Sequence, residues 1–186
     1  MRGWLRGLGD TPDKAEKRVR EALLASGLPH VRDAVIPDQV GGYTQVDHLL
    51  LTAEGLVLLE VQHLTGELHG SSHTQRWTRF GRGRRHEFDN PFRRLRELAE
   101  TLDAMILGDL VQVAVEPRLV VTGPARFVKG VPEGVLTEPM LRDLLASRAR
   151  AIPARQRAVW DVLLGRVACD PVAPSGSPAA AQPVQA

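Results

Sequence analysis

The chain has 186 residues, 43% of them apolar and 25% charged, which is enough for one domain built on one hydrophobic core. Its formal net charge of +2 neither requires nor excludes nucleic acid, so the distribution of charge has to decide. A single cysteine, Cys169, excludes an intrachain disulfide framework and a cysteine zinc cluster and fits a reducing compartment.

The first ten residues are Gly-rich and carry no apolar run of signal-peptide type. No segment approaches the roughly 20 apolar residues of a membrane-spanning helix, so the expected location is cytoplasmic. Thr11-Pro12 predicts a helix start, a hydroxyl cap followed by proline at the first helical position. Ala15, Val19, Ala22 and Leu23 recur at helical spacing until Gly27 ends the run. Residues 33–40 read as a short edge strand, because Pro37 would break a central one.

Gln45 to His63 is the clearest segment, two apolar runs flanking Ala53-Glu54-Gly55, and it predicts a hairpin. Both faces of both strands are apolar near the turn, the pattern of a sheet covered on two sides in an α/β layer. Trp77, Phe80 and Phe88 are then interleaved with Arg76, Arg79, Arg82, Arg84 and Arg85, and Gly81 and Gly83 suggest a second hairpin. Asn90-Pro91 opens a helix with Phe92, Leu95, Leu98, Ala99, Leu102, Met105 and Ile106 on one face. Val111 to Val115 and Arg118 to Val121 read as strand. Thr137 starts a helix through about Ala146, and a last helix covers 154–167. From Asp170 the chain is Pro, Ala, Ser, Gln and Gly without aromatics, the composition of a disordered tail. The expected organisation is therefore a loose segment 1–10, a domain 11–169 and a tail 170–186.

Asp47 and Glu60 are the residues that suggest chemistry. Side chains alternate along a strand, so Glu60 and Gln62 share one face. With Ala53-Glu54 as the turn, Asp47 lies opposite Glu60; with Glu54-Gly55, it lies opposite Gln62. Both registers put the three side chains together, whereas a three-residue turn would separate them. Two carboxylates at the end of apolar strands are costly unless a cation neutralises them, and their oxygens suit Mg²⁺ or Mn²⁺. The plainer alternative is a pair of hydrated carboxylates at an exposed strand end.

The order Gln-Val-Asp-His at 45–48, an apolar hairpin, Glu-Val-Gln at 60–62, then Gly66, Trp77 and Asn90-Pro91 resembles the nuclease-related (NERD) family. That family typically shows Glu-hydrophobic-Asp-His, a hairpin with Gly, Glu-Val-Lys, Gly, Trp and Asn-Pro. The resemblance implies an α/β fold of restriction-endonuclease-like type, a mixed sheet flanked by helices, with a PD-(D/E)xK-type site acting on DNA. It implies that Asp47 and Glu60 ligate the metal, that Gln62 stands at the lysine position, and that Glu16 is a glutamate contributed by the first helix. Two departures stand out. Gln62 lacks the charge that would stabilise an attacking hydroxide, and Gln45 replaces a glutamate before the aspartate.

His48 and His63 are expected on the face opposite Asp47, roughly 13 Å apart along the strand, and so in packing or hydrogen-bonding roles. His69, His73 and His86 read as surface residues. Arg76, Arg79, Arg82, Arg84 and Arg85 offer a phosphate-binding hairpin on which Trp77 or Phe80 could stack a base; the alternative is a solvated hairpin whose aromatics cover the core. Asn90-Pro91 is accounted for as a helix cap. Three functions follow from these residues: a metal-dependent DNA phosphodiesterase, a non-catalytic nucleic-acid-binding module, and a protein-interaction domain on the same scaffold.

Overall fold

The computed structural model of the chain describes residues 10–37, 41–107 and 113–171. In order these form α1 (Pro12–Ser26), β1 (His30–Pro37), β2 (Tyr43–Leu51), β3 (Gly55–His63), β4 (Gly66–His69), β5 (Arg76–Gly81) and β6 (Arg84–Asp89). There follow α2 (Pro91–Leu107), β7 (Ala114–Thr122), β8 (Ala125–Phe127), β9 (Val135–Leu136), α3 (Glu138–Arg148), α4 (Ala154–Leu164) and β10 (Ala168–Pro171). The expectations for residues 1–9, 38–40, 111–112 and 172–186, and for the side chains of Met105 and Ile106, fall outside the described residues.

Local chemistry sets the helix ends. Thr11 Oγ1 accepts from the Lys14 N–H at 3.4 Å and Gly27 closes α1 in the left-handed conformation, φ 67°. Asn90 Oδ1 accepts from the Phe92 N–H at 3.0 Å, capping α2 as expected. Buried Asn90 also donates from Nδ2 to the carbonyls of Ser71, Ser72 and Thr74, so it ties the loop before β5 to the helix. Thr137 stands at the start of α3 but its side chain makes no capping bond.

The fold is α/β, with two mixed sheets and four helices among the described residues. The larger sheet has the order β10-β1-β2-β3-β7-β9, parallel between β3 and β7 and between β7 and β9, antiparallel elsewhere. Val19 and Leu23 of α1 and Leu141 and Leu145 of α3 pack with Leu50, Val57, Leu59 and Val120 in one core. Phe92, Leu95 and Leu102 of α2 and Trp160 and Leu163 of α4 pack with Leu49, Leu51, Leu56 and Leu58 in the other. Alternate residues of β2 and β3 thus feed two cores, which is why both faces of the predicted hairpin are apolar.

The central parallel pair continues past a bend. β3 leads into β4 and β7 into β8, and the two pairs remain in register, Gln62 beside Val121 and Gly66 beside Ala125. Gly66 permits the bend: its φ is 87°, and a Cβ there would meet the Phe80 carbonyl oxygen at 2.3 Å. The smaller sheet, β6-β5-β4-β8, grows from this bend and carries the arginine hairpin. Trp77 anchors it, fully buried, with its ring edge-on to Phe127 at 5.5 Å and its Nε1 donating to Ser71 O at 3.0 Å. Packing is thus the role of Trp77, whereas Phe80 is 40% exposed.

Three expectations are corrected. β1 is an internal strand, paired with β2 on one side and with β10 on the other. Pro37 is tolerated because it is the last residue of the strand and lies beyond the β10 pairing, which covers Val31 to Val35. β10 includes Asp170 and Pro171, so the tail cannot begin at Asp170. The two runs around Pro117 are one strand, β7; β9 pairs only with Leu119 and Val120, leaving no ladder on that side for the missing proline N–H.

The β2–β3 turn is Ala53-Glu54, with the Thr52 N–H donating to Gly55 O at 2.8 Å and Thr52 Oγ1 donating to the same oxygen at 2.9 Å. Gly55 has φ 148°, and a Cβ on it would lie 2.3 Å from the Ala114 carbonyl oxygen of β7. Gly55→Ala is therefore expected to lower the melting temperature markedly while Ala53→Gly, in the same turn, has a small effect. Thermal denaturation of the two variants checks this, and equal melting temperatures would show that β7 yields at no cost.

Candidate functional site

The site begins with a break in the sheet. The β1–β2 ladder pairs Arg32 with His48 and Ala34 with Val46 but skips Asp33 and Asp47, and Asp33 has φ 51°. A left-handed backbone is unusual in any residue but glycine, and aspartate is among the least penalised. The strands change face here: Val31 and Ala34, and likewise Val46 and Leu49, lie in the same core, which unbroken alternation forbids. At the same level β2 parts from β3, whose pairing extends only from Leu51–Leu56 to His48–Leu59.

Asp47 occupies the gap. Its Oδ2 accepts from the Val61 N–H at 2.7 Å, replacing a carbonyl of the parted strand. Burial holds the Asp47 carboxyl above the usual carboxylate range; the Val61 bond opposes this, and the charges of Glu60, Glu16 and Asp33 add to it. Three carboxylates therefore act on a fourth, half-buried one.

Glu60 stands on β3 beyond the last residue that pairs with β2, though it still pairs with Leu119 of β7, and its side chain is 9% exposed. Oε2 accepts from Arg94 Nη2 of α2 at 2.5 Å, and Oε1 accepts from Gln62 Nε2 at 3.1 Å. Glu60 and Gln62 share a face as expected. The expectation that Asp47 joins them on that face is corrected: the break turns it into a cavity of about 290 Å³ under α1, lined by Glu16, Arg32, Asp33, His48, Val61, His63 and Thr122 among others, and Glu60 and Gln62 do not line it. The register places Asp47 level with Glu60, and the charge of Glu60 acts on it ahead of that of Glu16.

The same break brings Asp47 to the histidines. His48 and His63 keep the face of Leu50, Val57 and Leu59, opposite Glu60 and Gln62, and Asp47 crosses to it, so all three line one cavity. His63 Nδ1 lies 3.3 Å from Thr122 Oγ1. His48 is buried, sits edge-on to His30 with ring centroids 6.4 Å apart, and neither of its ring nitrogens has a hydrogen-bond partner among the described residues. Burial lowers its pKa to about 4. Glu16, exposed on α1, reaches the cavity rim. Gln45 donates to Asp33 Oδ1 at 2.6 Å and so braces the break.

In kind, the donors fit a hard divalent cation, since carboxylate oxygens predominate. Among the described residues no three His, Cys, Asp or Glu side chains are gathered tightly enough to enclose an ion. Sequence reasoning missed Arg94 and Asp33. Nothing in the sequence ties α2 to β3, and the signal at Asp33 is only a polar residue interrupting an apolar strand.

The arginine hairpin turns at Arg82-Gly83, both with positive φ, between the paired Gly81 and Arg84. Its charges are not equivalent. Arg76 faces Glu87 and Asp89 at 3.8 and 3.9 Å, and Arg85 pairs with Glu87. Arg79, Arg82 and Arg84 have no carboxylate partner among the described residues. Phe80 stands among them with His69 edge-on at 5.1 Å.

A broken central hairpin that carries a half-buried aspartate, under a helix and beside an arginine-bearing β-arm, is the arrangement of an α/β domain of nuclease-related type. Residues 11–122 match the family model of the NERD, or nuclease-related, domain, and the chain belongs to that family. It is 26% identical over 84 residues to an uncharacterized protein of Bacillus anthracis, a match covering 45% of this chain and 40% of that protein. The chain thus matches well under half of that relative's length. No solved structure matches the chain.

The His48 environment gives a pH dependence. The unfolded chain takes up the proton near 6.5, whereas folded His48 resists it to about 4. The stability due to neutral His48 is thus fully present above pH 6.5 and is lost as pH falls through about 4, an effect on the order of 3 kcal/mol. His48→Leu is expected to flatten the melting temperature against pH across that window. An unchanged slope would assign the acid sensitivity to other groups.

Proposed function

We propose that this protein is a divalent-cation-dependent phosphodiesterase acting on DNA, with Asp47 and Glu60 as the Mg²⁺ or Mn²⁺ ligands and Glu16 as an outer carboxylate. The observation that carries the reading is the Asp47 carboxylate, set in the strand break level with Glu60 and opposed by burial and by three like charges. Such a site is poorly compensated without a cation. When bound, the ion would supply Lewis acidity to a phosphodiester and neutralise charge on the leaving oxygen. The Val61 N–H fixes the direction of Asp47, and Gln62 and Arg94 fix that of Glu60. The bend at Gly66 sets the arginine arm next to this strand end, where Arg79, Arg82 and Arg84 would hold the phosphate backbone and Phe80 would offer a stacking face.

A second reading is a nucleic-acid-binding module without catalysis. It is favoured by Gln62, whose neutral amide is spent on Glu60 and supplies no charge to an attacking hydroxide. Cleavage of single- and double-stranded DNA in Mn²⁺, with Asp47→Ala as control, separates the two. Activity is expected in the wild type and lost in Asp47→Ala. Gln62→Lys is expected to raise it, recovering part of the roughly 2.7–4 kcal/mol that one such donor contributes to a transition state. Binding with no cleavage in either protein would establish the second reading.

The arm is tested separately. Replacing Arg82 and Arg84 together by Ala is expected to weaken DNA binding and to reduce the slope of log K against log salt by roughly 0.7–0.9 for each phosphate that the arm no longer neutralises. Replacing Arg76 and Arg85, which face acidic partners, is expected to change it less. Equal effects of the two pairs would show that the carboxylates of β6 do not divide the arginines into two classes.

A further inference from the structure

Arg94 is held at one point only. Its Nη2 donates to Glu60 Oε2 at 2.5 Å, and Gln62 fixes the other oxygen of that carboxylate at 3.1 Å. The carboxylate is 9% exposed, whereas the guanidinium is half exposed. No second partner engages Arg94 among the described residues, so its remaining N–H groups are open to solvent. One edge of the planar fork is thus anchored and the rest is free, which lowers the ordering cost of binding an anion.

The arginine arm has two unlike faces, and Arg94 lies on the side of one of them. Leu56, Leu58, Leu68 and Trp77 belong to the core that α2 covers. Alternation along β3 therefore turns Glu60 and Gln62 to that side. Along β5 and β6 it does the same for Arg79, opposite Leu68, and for Arg84, opposite Gly81. The tip of the arm returns to the end of β3, since a Cβ on Gly66 would lie 3.5 Å from Gly81 Cα. Neither Arg79 nor Arg84 has a carboxylate partner among the described residues. On the reverse face Glu87 takes Arg76 and Arg85, and Glu67 takes Arg126.

We propose that Arg94 is a phosphate-binding residue, and that the nucleic-acid interface runs along the α2 side of the sheet from Arg84 and Arg79 to Arg94. This rests on the nucleic-acid reading common to both functions above, and it needs no cation. Gln62 leaves this strand end without the ammonium of the family pattern, and Arg94, bound to the same carboxylate, returns a positive group to it. A guanidinium matches a phosphate with parallel N–H bonds to its oxygens. Glu60 is then the positioning residue for Arg94.

The test is fluorescence anisotropy of a labelled single-stranded DNA oligonucleotide with the full chain, in EDTA and in Ca²⁺, with the melting temperature of each variant. Arg94→Gln alone would leave the Glu60 carboxylate buried and unpaired, so Glu60→Gln is compared with Glu60→Gln plus Arg94→Gln. Adding Arg94→Gln is expected to weaken binding about tenfold, the worth of one charge-assisted hydrogen bond. Arg126→Ala, which removes the same charge from the reverse face, is expected to change affinity about twofold or less. If the double variant melts too low to assay, Arg94→Lys decides; it keeps the charge without the fork and is expected to bind about threefold more weakly than wild type. Unchanged affinity on losing Arg94, or an equal loss in Arg126→Ala, would overturn the proposal and leave the nucleic-acid reading standing. No DNA binding by the wild type in either buffer would remove that reading as well.

Discussion

The Val61 N–H is the point on which the site depends. Where β2 turns away from β3, a backbone donor loses its strand partner, and the Asp47 carboxylate takes the place of the missing carbonyl at 2.7 Å. An unpaired buried N–H costs about as much as a lost hydrogen bond, and a charged acceptor answers it more strongly than a neutral one. The bond therefore fixes the splayed strand and immobilises an acid at once. It also explains why a half-buried carboxylate, whose ionisation burial opposes, is kept in the middle of a sheet.

The rest of the structure holds that gap open. Asp33, in a left-handed conformation, breaks β1 at the same level, and Gln45 fastens it. The parallel pairing of β3 with β7 runs on through Gln62 and His63, so β3 stays straight while β2 leaves it. α1 closes the gap from one side with Glu16, and α2 approaches from the other with Arg94. The turn over to the smaller sheet starts two residues after His63, which brings the arginine arm to the same end of β3. Fold and chemistry share a cause here, since the parallel pair that sets the register also orients the arm.

Much of this was legible in the residues. The hairpin turn at Ala53-Glu54, the two-sided apolar strands, the caps at Thr11 and Asn90, and the shared face of Glu60 and Gln62 follow from alternation and capping, which are local. What stayed hidden is non-local. Period-two reasoning assumes an unbroken strand, so it put Asp47 on the face of Glu60 and Gln62, whereas β2 changes face at the Asp33–Asp47 break and Asp47 joins His48 and His63 in the cavity under α1. β10 escaped notice because Ala-Cys-Asp-Pro has no strand pattern of its own and is ordered by β1. Arg94 could not be singled out, since one more arginine on a helix reads as a solvated face until the helix is placed against Glu60. The five hairpin arginines looked alike in sequence and separate through the register of β5 and β6, which sets Glu87 and Asp89 beside Arg76, and through alternation along β6, which sets Glu87 beside Arg85.

The account turns on whether the carboxylates of Asp47 and Glu60 meet over one cation. The most direct measurement is an anomalous-scattering map of crystals grown in saturating Mn²⁺. The account predicts a manganese peak bounded by Asp47 and Glu60. A map with no peak between the two carboxylates would contradict it.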